Sequence, residues 1–106
     1  MSDEPLISLD EARRRLDGVP TPWVELWERG EVSVEYYAPR GSDDQTPHDR
    51  DEIYIVASGS GRFRNGEAVH PFGPGDFLFV PAHVPHRFED FTGDFGTWVV
   101  FFGPRS

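Results

Sequence analysis

Two histidines and one glutamate stand out in this 106-residue sequence, because their types and spacing suit a bound metal ion. His48 lies four residues before Glu52 in the segment PHDRDEIYIVASGSG, residues 47–61, and His86 lies in GPGDFLFVPAHVPHRF, residues 73–88. Two imidazoles and one carboxylate can hold a mononuclear divalent metal and leave positions open for a substrate. The sequence therefore predicts a metal pocket formed by these three residues.

Strand alternation decides whether these side chains can meet, since successive residues of a strand point to opposite faces. If Glu52 faces inward, Tyr54 faces inward with it. If His86 faces inward, Phe88 and Asp90 do too. A carboxylate inside a small barrel is costly unless a positive charge meets it, and a shared cation would do so. The spacing alone leaves a second interpretation open, in which Glu52 ends a strand in solvent and the histidines are unrelated.

The first twenty residues predict a short helix. Ser8 and Glu11 have the spacing of a capping box ahead of an apolar pattern, and Gly18 is placed to end the helix. We therefore expect a helix over residues 9–16, within a helical arm that covers residues 1–20.

The remainder of the chain predicts strands. From Trp23 onward the hydrophobic pattern has a period of two, and turn signals such as Asn65-Gly66 recur about every 6–12 residues. Many short strands without intervening helices are typical of a sandwich or a barrel. Residues 21–106 are therefore expected to form one all-β domain.

Composition excludes several classes of function. Nineteen acidic against ten basic residues give a formal charge of −9, which repels nucleic acid. No apolar run is long enough to span a membrane and MSDEPLISLD lacks the regions of a signal peptide, so we expect a cytoplasmic protein. The chain has no cysteine and no lysine, which excludes disulfides, thiol chemistry and Schiff-base catalysis.

The first of the two segments resembles a motif of the cupin superfamily, in its small single-domain, conserved-barrel form. The family motif runs G-x5-H-x-H-x3or4-E-x6-G, with a slightly shorter approach in this chain. Four residues are similar to it: Gly41, His48, Glu52 and Gly59.

The second segment resembles the second cupin motif, G-x5-P-x-G-x2-H-x3-N, through Gly75, Pro81 and His86. The resemblance spans residues 41 to about 90. It implies an all-β, cupin-like antiparallel jelly-roll barrel with a short N-terminal helix. It also implies one divalent metal ion near the barrel axis, held from both motifs.

The chain departs from the motifs at three positions. Thr46 stands where the first motif has its leading histidine, so the ligand set shrinks to two histidines and one glutamate. A water or Gln45 could take that position, or the barrel could have lost its metal. His83 replaces the second motif's glycine and is a further candidate for a ligand or a residue of the pocket rim. Asp90 replaces the closing asparagine.

The resemblance implies an enzyme that acts on a small oxygenated or anionic organic molecule, since dioxygenases, isomerases and lyases occur among similar cupins. The ligand set favours a dioxygenase, and Fe, Zn, Ni or Mn would fit it. Tyr54 is the candidate catalytic residue, as a donor to a bound substrate. The alternatives are a non-catalytic module that binds a small molecule or metal, and a metal-free barrel. We also expect a homodimer, because short open sheets leave edges exposed.

The walls of the predicted pocket should be mainly aromatic. Arg50 could hold a substrate carboxylate near the mouth. The candidate wall residues are Tyr36, Tyr54, Phe88, Trp98 and Phe101.

Overall fold

The computed structural model describes residues 6–104, which form one helix and eight strands. The predicted start of the helical arm at residue 1 and the predicted end of the barrel at residue 106 lie outside these residues. The elements are α1 (Leu9–Asp17), β1 (Trp23–Arg29), β2 (Val32–Tyr37), β3 (Asp51–Ser58), β4 (Gly61–Asn65), β5 (Ala68–Phe72), β6 (Phe77–Val80), β7 (His86–Glu89) and β8 (Gly96–Phe102).

The predicted helix forms, with the predicted residues at its ends. The N–H of Glu11 donates to Ser8 Oγ over 3.1 Å, and Gly18 donates to the carbonyl oxygens of the last turn. The Glu11 carboxylate accepts hydrogen bonds from Arg14 and Arg15, which adds ion pairs along the helix. In the described part of the chain, no helix has the length and hydrophobicity needed to cross a membrane.

The strands form two antiparallel sheets. The larger sheet has the order β1-β2-β8-β3-β6, and the smaller has the order β5-β4-β7. Strands distant in sequence lie side by side, as β8 does between β2 and β3, which is the connectivity expected of a jelly roll. The predicted all-β, antiparallel fold with a short N-terminal helix is therefore confirmed. The described strands pair as two separate sheets whose inner faces pack, rather than as one closed ladder.

An aromatic core holds the two sheets together. The larger sheet contributes Tyr54 and Val99, and the smaller sheet contributes Phe63 and Phe88. The Phe88 ring centroid lies 4.7 Å from that of Phe63 and 4.9 Å from that of Tyr54. Burial of one such side chain stabilises a fold by about 1.5–3 kcal/mol, so this cluster is a main source of cohesion between the sheets.

Helix α1 covers the opposite face of the larger sheet. Ala12 is buried against Tyr36 of β2, and Trp98 of β8 packs against the same cluster. Tyr36 and Trp98 are therefore not pocket walls, and the expectation for these two residues was wrong. Strands β2 and β8 carry apolar side chains on both faces, so their sequence pattern did not show that Tyr37 and Val99 are the residues that face the core.

Candidate metal centre

Three donor side chains meet at one end of the core, one from each sheet and one from the loop before β3. His48 lies in the loop before β3, Glu52 is the second residue of β3, and His86 is the first residue of β7. Glu52 Oε2 lies 2.6 Å from His48 Nδ1 and 3.4 Å from His86 Nε2. One donor atom of each residue lies within 4.8 Å of the others. The structure thus brings together the three residues that the sequence singled out.

Strand direction explains this convergence. Glu52 and Tyr54 point from β3 into the space between the sheets, and each is 1% exposed. His86 and Phe88 point into the same space from β7 and are 5% and 1% exposed. The interpretation that left Glu52 in solvent is therefore excluded. Asp90, which was expected to face inward as well, is exposed with φ at 51°, because β7 ends one residue earlier and the chain turns there.

A backbone hydrogen bond fixes the ring of His86. Its Nδ1 lies 2.8 Å from the carbonyl oxygen of Val84, which can only accept, so Nδ1 carries a proton. In a neutral imidazole, Nε2 is then an unprotonated acceptor. This nitrogen faces Gln45 Oε1 at 3.1 Å and Glu52 Oε2 at 3.4 Å, and both oxygens are acceptors too. A metal ion placed between these three acceptor atoms would satisfy all of them.

The buried carboxylate of Glu52 also has an unsatisfied oxygen. Its Oε2 faces both histidines, whereas its Oε1 is shielded from solvent and has no hydrogen-bond partner. An unpaired buried acceptor costs about 1–3 kcal/mol, and more when it is charged. A divalent cation would neutralise this carboxylate, and two imidazoles with one carboxylate are donors that such a cation accepts. The residues present therefore fit a divalent metal ion.

The protonation of His48 is linked to the same carboxylate. The hydrogen bond to Glu52 raises the pKa of His48, while burial acts in the opposite direction. A metal ion must displace a proton from any protonated ligand that it binds. Metal binding at this centre is therefore expected to displace the proton of His48 wherever that residue is protonated.

Hydrogen bonds from the loop before β3 hold the amide of Gln45 toward the centre. Gln45 Nε2 donates to Asp43 Oδ2 over 2.6 Å, so its Oε1 faces His86 and accepts from the Tyr54 hydroxyl over 3.2 Å. Asp43 is 3% exposed and also accepts hydrogen bonds from the Tyr37 hydroxyl and from a backbone N–H of β7. Gln45 is thus fixed beside the metal centre with its carbonyl oxygen turned inward.

Asp43 is a residue of the centre that sequence reasoning missed. It lies in residues 39–47, whose composition predicts a loop and nothing more. A local signal exists, because the N–H of Gln45 donates to Asp43 Oδ1 over 3.2 Å in an Asx turn. That signal predicts a turn, and it does not reveal the contact with β7.

Tyr54, the candidate catalytic residue, lies next to the centre. Burial raises its pKa well above the ordinary value, and the charge of Glu52 adds to the effect. The hydroxyl therefore stays protonated at neutral pH and can donate a hydrogen bond. Its ring packs edge-on against Phe63 at 5.6 Å between centroids, so Tyr54 is a core residue as well.

Thr46, which replaces the family's leading histidine, and the candidate ligand His83 both lie apart from the donor atoms. Thr46 is exposed in the loop before β3. His83 is exposed at a turn with φ at 68°, and its backbone N–H donates to the carbonyl oxygen of His48 over 2.7 Å. Among residues 6–104, the group of side chains close enough to share an ion does not include His83. Its backbone joins the turn before β7 to the loop that carries His48.

The centre opens into a cavity of about 980 Å³. Of the aromatic walls that the sequence predicted, Tyr54 and Phe101 line this cavity, whereas Phe88 lies in the core. The guanidinium of Arg50 lies 5.1 Å from the centroid of the Phe101 ring and donates to Ser33 Oγ over 2.9 Å. A cavity of this volume can hold a small organic molecule beside the metal centre.

A further carboxyl group, which the sequence did not reveal, lines the same cavity. Glu35 of β2 faces the cavity, and its partner directly across on β1 is Glu25. Burial raises the pKa of Glu35 to about 7, and the negative charge of Glu25 adds to this. The only sequence signal was an acidic residue in the middle of the aromatic strand VSVEYY, where alternation alone could not show whether it faced solvent.

We expect the Glu35→Gln variant to change how stability depends on pH in the metal-free protein. The folded-state pKa of Glu35, about 7, is raised from an ordinary 4.5, so the folded protein binds more protons between these values and loses stability as pH rises through them. Glutamine cannot ionise. After allowance for solvent screening, the variant should be more stable than the wild type by about 1–2 kcal/mol at pH 8. Chemical unfolding at pH 5 and pH 8 measures this.

The matched control is Glu67→Gln, which changes an exposed glutamate outside the cavity. It should leave the pH profile unchanged. If the stability of the wild type and of Glu35→Gln changed with pH in the same way, the pKa of Glu35 would not be raised. The nearby charges and the burial of Glu35 would then offset one another. These nearby charged groups are Glu25, His48, Glu52 and Arg50.

Solved structures of other proteins share this architecture. A cupin-2 domain protein from Rhodospirillum rubrum superimposes with a TM-score of 0.66 at 19% identity, over 79% of this chain and 60% of that chain. At this identity the similarity shows the fold alone. The DMSP lyase DddQ from Ruegeria pomeroyi superimposes with a TM-score of 0.63 at 25% identity, over 76% of this chain and 46% of that chain. This chain thus corresponds to about half of the lyase.

Sequence comparison agrees with the structural similarity. An uncharacterized protein from Streptomyces coelicolor is 32% identical over 103 residues, which cover 95% of this chain and 95% of that protein. The family model of the cupin domain matches residues 33–101, from β2 to β8, and so includes all three donor residues. This chain therefore belongs to the cupin domain family.

Proposed function

We propose that this protein is a mononuclear metal-dependent enzyme that acts on a small oxygenated organic molecule, with a dioxygenase-type reaction as the first choice. The observation that carries the proposal is the convergence of His48, Glu52 and His86 beside a cavity, with one oxygen of Glu52 unpaired. Fe, Zn, Ni and Mn all accept such donors. Iron would supply activation of O₂, and zinc would supply Lewis-acid activation.

The chain's own groups would orient the metal ligands and the substrate. The carbonyl of Val84 holds the His86 ring so that Nε2 faces the centre. The Tyr54 hydroxyl, which donates to Gln45, could donate instead to an oxygen atom of a bound substrate. Tyr54 and Phe101 present aromatic rings to a bound substrate at this end of the cavity.

The alternative is a non-catalytic cupin that binds a metal or a small molecule in a regulatory or structural role. One observation favours it. Thr46 stands at the position of the missing family histidine and is exposed. The neighbouring Gln45 offers an amide oxygen 3.1 Å from His86 Nε2, and such an oxygen is a weaker ligand than an imidazole for most transition metals.

A homodimer and a cytoplasmic location both remain predictions. Strands β1 and β6 are the edges of the larger sheet. On β6, Phe77 is 61% exposed and Phe79 is 44% exposed. Exposed aromatic side chains on an edge strand are typical of a surface that pairs with another chain, and this supports the dimer.

The experiment that tests the proposal measures bound metal and oxygen consumption in the same preparations. We expect about one metal ion per chain, and oxygen uptake by the Fe(II)-loaded protein with at least one member of a panel of small diols, catechols and thiols. His86→Ala should lose metal affinity by at least about 100-fold, because it removes a direct ligand. Oxygen uptake should disappear with it. The control His70→Ala changes an exposed histidine of β5 and should retain both properties.

The outcomes separate the two functions. Undiminished metal binding in His86→Ala would contradict the centre itself. Metal binding that depends on His86, together with no oxygen uptake across the panel, would overturn the dioxygenase assignment and favour the non-catalytic module.

A further inference from the structure

One wall of the cavity carries two carboxyl groups and two aromatic rings in register. On strands β1 and β2, Trp23 lies opposite Tyr37 and Glu25 lies opposite Glu35. Residues two apart on a strand share a face, and all four of these side chains line the cavity. We call this set of four residues, Trp23, Glu25, Glu35 and Tyr37, the acidic wall.

The acidic wall has a cost in the free protein. Like charges directly opposite each other on neighbouring strands are destabilising, and Glu35 is partly buried as well. The imidazole of His48 and the guanidinium of Arg50 both lower the pKa of Glu35, but burial and the charge of Glu25 outweigh them. Arg50 also donates to Ser33 Oγ over 2.9 Å and to the carbonyl oxygen of Glu31 over 3.3 Å. A positively charged ligand would relieve the repulsion between the two carboxylates.

The aromatic part of the acidic wall indicates what kind of cation suits it. Trp23 is 44% exposed, which is a large exposure for an indole that lines a cavity. The face of an indole ring attracts cations most strongly among the aromatic side chains, and it also packs against the carbon atoms around an organic cation. An indole beside two carboxylates therefore suits an organic cation better than a hydrated inorganic one.

A second metal ion fits this wall poorly. The described residues contain one group of three or more donors close enough to share an ion, and it is His48, Glu52 and His86. Glu25 and Glu35 do not belong to any described group of three donors whose atoms lie within 4.8 Å of one another. The side chain of Glu52, which lines the same cavity and is 1% exposed, adds a third carboxyl group, and its Oε1 has no hydrogen-bond partner.

The metal centre and the acidic wall lie within reach of one small molecule. Glu35, Val99 and Tyr54 occupy one row across β2, β8 and β3. Neighbouring strands lie about 4.8 Å apart, so the backbones at the two ends of this row are about 10 Å apart, and their side chains reach into the space between.

We infer that the acidic wall is a binding site for a small organic cation, and that the substrate carries this positive group at one end and an oxygen atom for the metal at the other. The second half of the inference rests on the proposed function. The first half does not, because the acidic wall contains none of the three metal ligands.

The test uses two probes of the same shape that differ in charge. These are choline and its neutral carbon analogue, 3,3-dimethyl-1-butanol. Binding is measured by calorimetry at pH 8 with metal-free and with zinc-loaded protein. We expect choline to bind at least about tenfold more tightly than the neutral alcohol in both forms, which corresponds to about 1.4 kcal/mol.

Variants assign this preference to the wall. Glu35→Gln should weaken choline binding at least about fivefold and leave binding of the neutral alcohol unchanged, since only the charge is removed. Trp23→Leu should weaken choline binding in the same direction through the loss of the indole face. Glu67→Gln, outside the cavity, should change neither probe.

Three results would overturn the inference. They are equal affinity for the two probes, a choline preference that survives Glu35→Gln, and a second zinc ion per chain that is lost in Glu35→Gln. Zinc stoichiometry is measured on the same samples, so the two proposals fail separately. Protein that binds one zinc without preferring choline contradicts only the cation site. Protein that prefers choline without binding zinc supports the cation site and contradicts the proposed function.

Discussion

Loading with zinc should raise the melting temperature of the wild-type protein by about 10–20 °C, and it should not raise that of Glu52→Gln. The ligands come from both sheets, so a bound ion joins β3 and its preceding loop to β7. A ligand present at 100 times its dissociation constant stabilises the folded state by about 2.7 kcal/mol. For a domain of this size, each kcal/mol shifts the melting temperature by about 4–8 °C. Thermal unfolding of chelator-treated protein, with and without added zinc, measures the effect.

Glu52→Gln is the informative variant because it keeps the shape of the side chain and removes its charge. The metal then loses its single carboxylate ligand, and two imidazoles alone hold it far less tightly. Glu67→Gln, at an exposed position outside the cavity, should keep the full shift. If the wild-type melting curve is unchanged after confirmed metal removal, the ion and the fold are not coupled and the centre has been misassigned.

The inward faces of β3 and β7 could be predicted from the sequence because each strand places a possible metal ligand two residues before an aromatic residue. Glu52 precedes Tyr54 in this way, and His86 precedes Phe88, so each pair shares one face. Once one residue of each strand is assigned to the interior, a period of two assigns the others. The alternation ends with β7, which is why it misled for Asp90.

The faces of β2 and β8 could not be predicted in the same way. Helix α1 buries the outer face of these strands, so Tyr36 and Trp98 are as hydrophobic as the residues that face the core. A strand covered on both sides gives no alternation between apolar and polar residues. For the same reason the sequence did not show that Glu35 faces the cavity. Its role depends on Glu25, which lies opposite it on β1.

The hydrogen bonds around Gln45 lie beyond sequence prediction for a different reason. They connect a loop residue to Asp43 two positions earlier and to His86, which is 41 residues away. Contacts between a loop and a distant strand depend on the path of the backbone, which local propensities do not fix. Sequence reasoning could name Gln45 as a neighbour of the centre, but it could not orient the amide.

Gly59→Ala should lower the stability of the fold by about 2–5 kcal/mol, with a fall in melting temperature of about 8–40 °C. Gly59 follows β3 with φ at +82°, a conformation that disfavours residues with a side chain. An added methyl group would also lie 2.5 Å from Cα of Phe95 and 2.7 Å from Oγ1 of Thr92. The Phe95 contact is with backbone, so it cannot be relieved by a change of rotamer.

Gly41→Ala is the matched control for this prediction, because it separates conformation from contact. Gly41 has a similar φ of +76°, but a methyl group there would meet no atom within 4 Å. It should therefore cost only the conformational strain, about 1–2 kcal/mol. Equal losses in the two variants would contradict the close approach of Phe95 to Gly59. At low temperature, where both variants are folded, each should bind zinc like the wild type. Glu52 lies at the start of β3 whereas Gly59 follows its end, and Gly41 contributes no ligand.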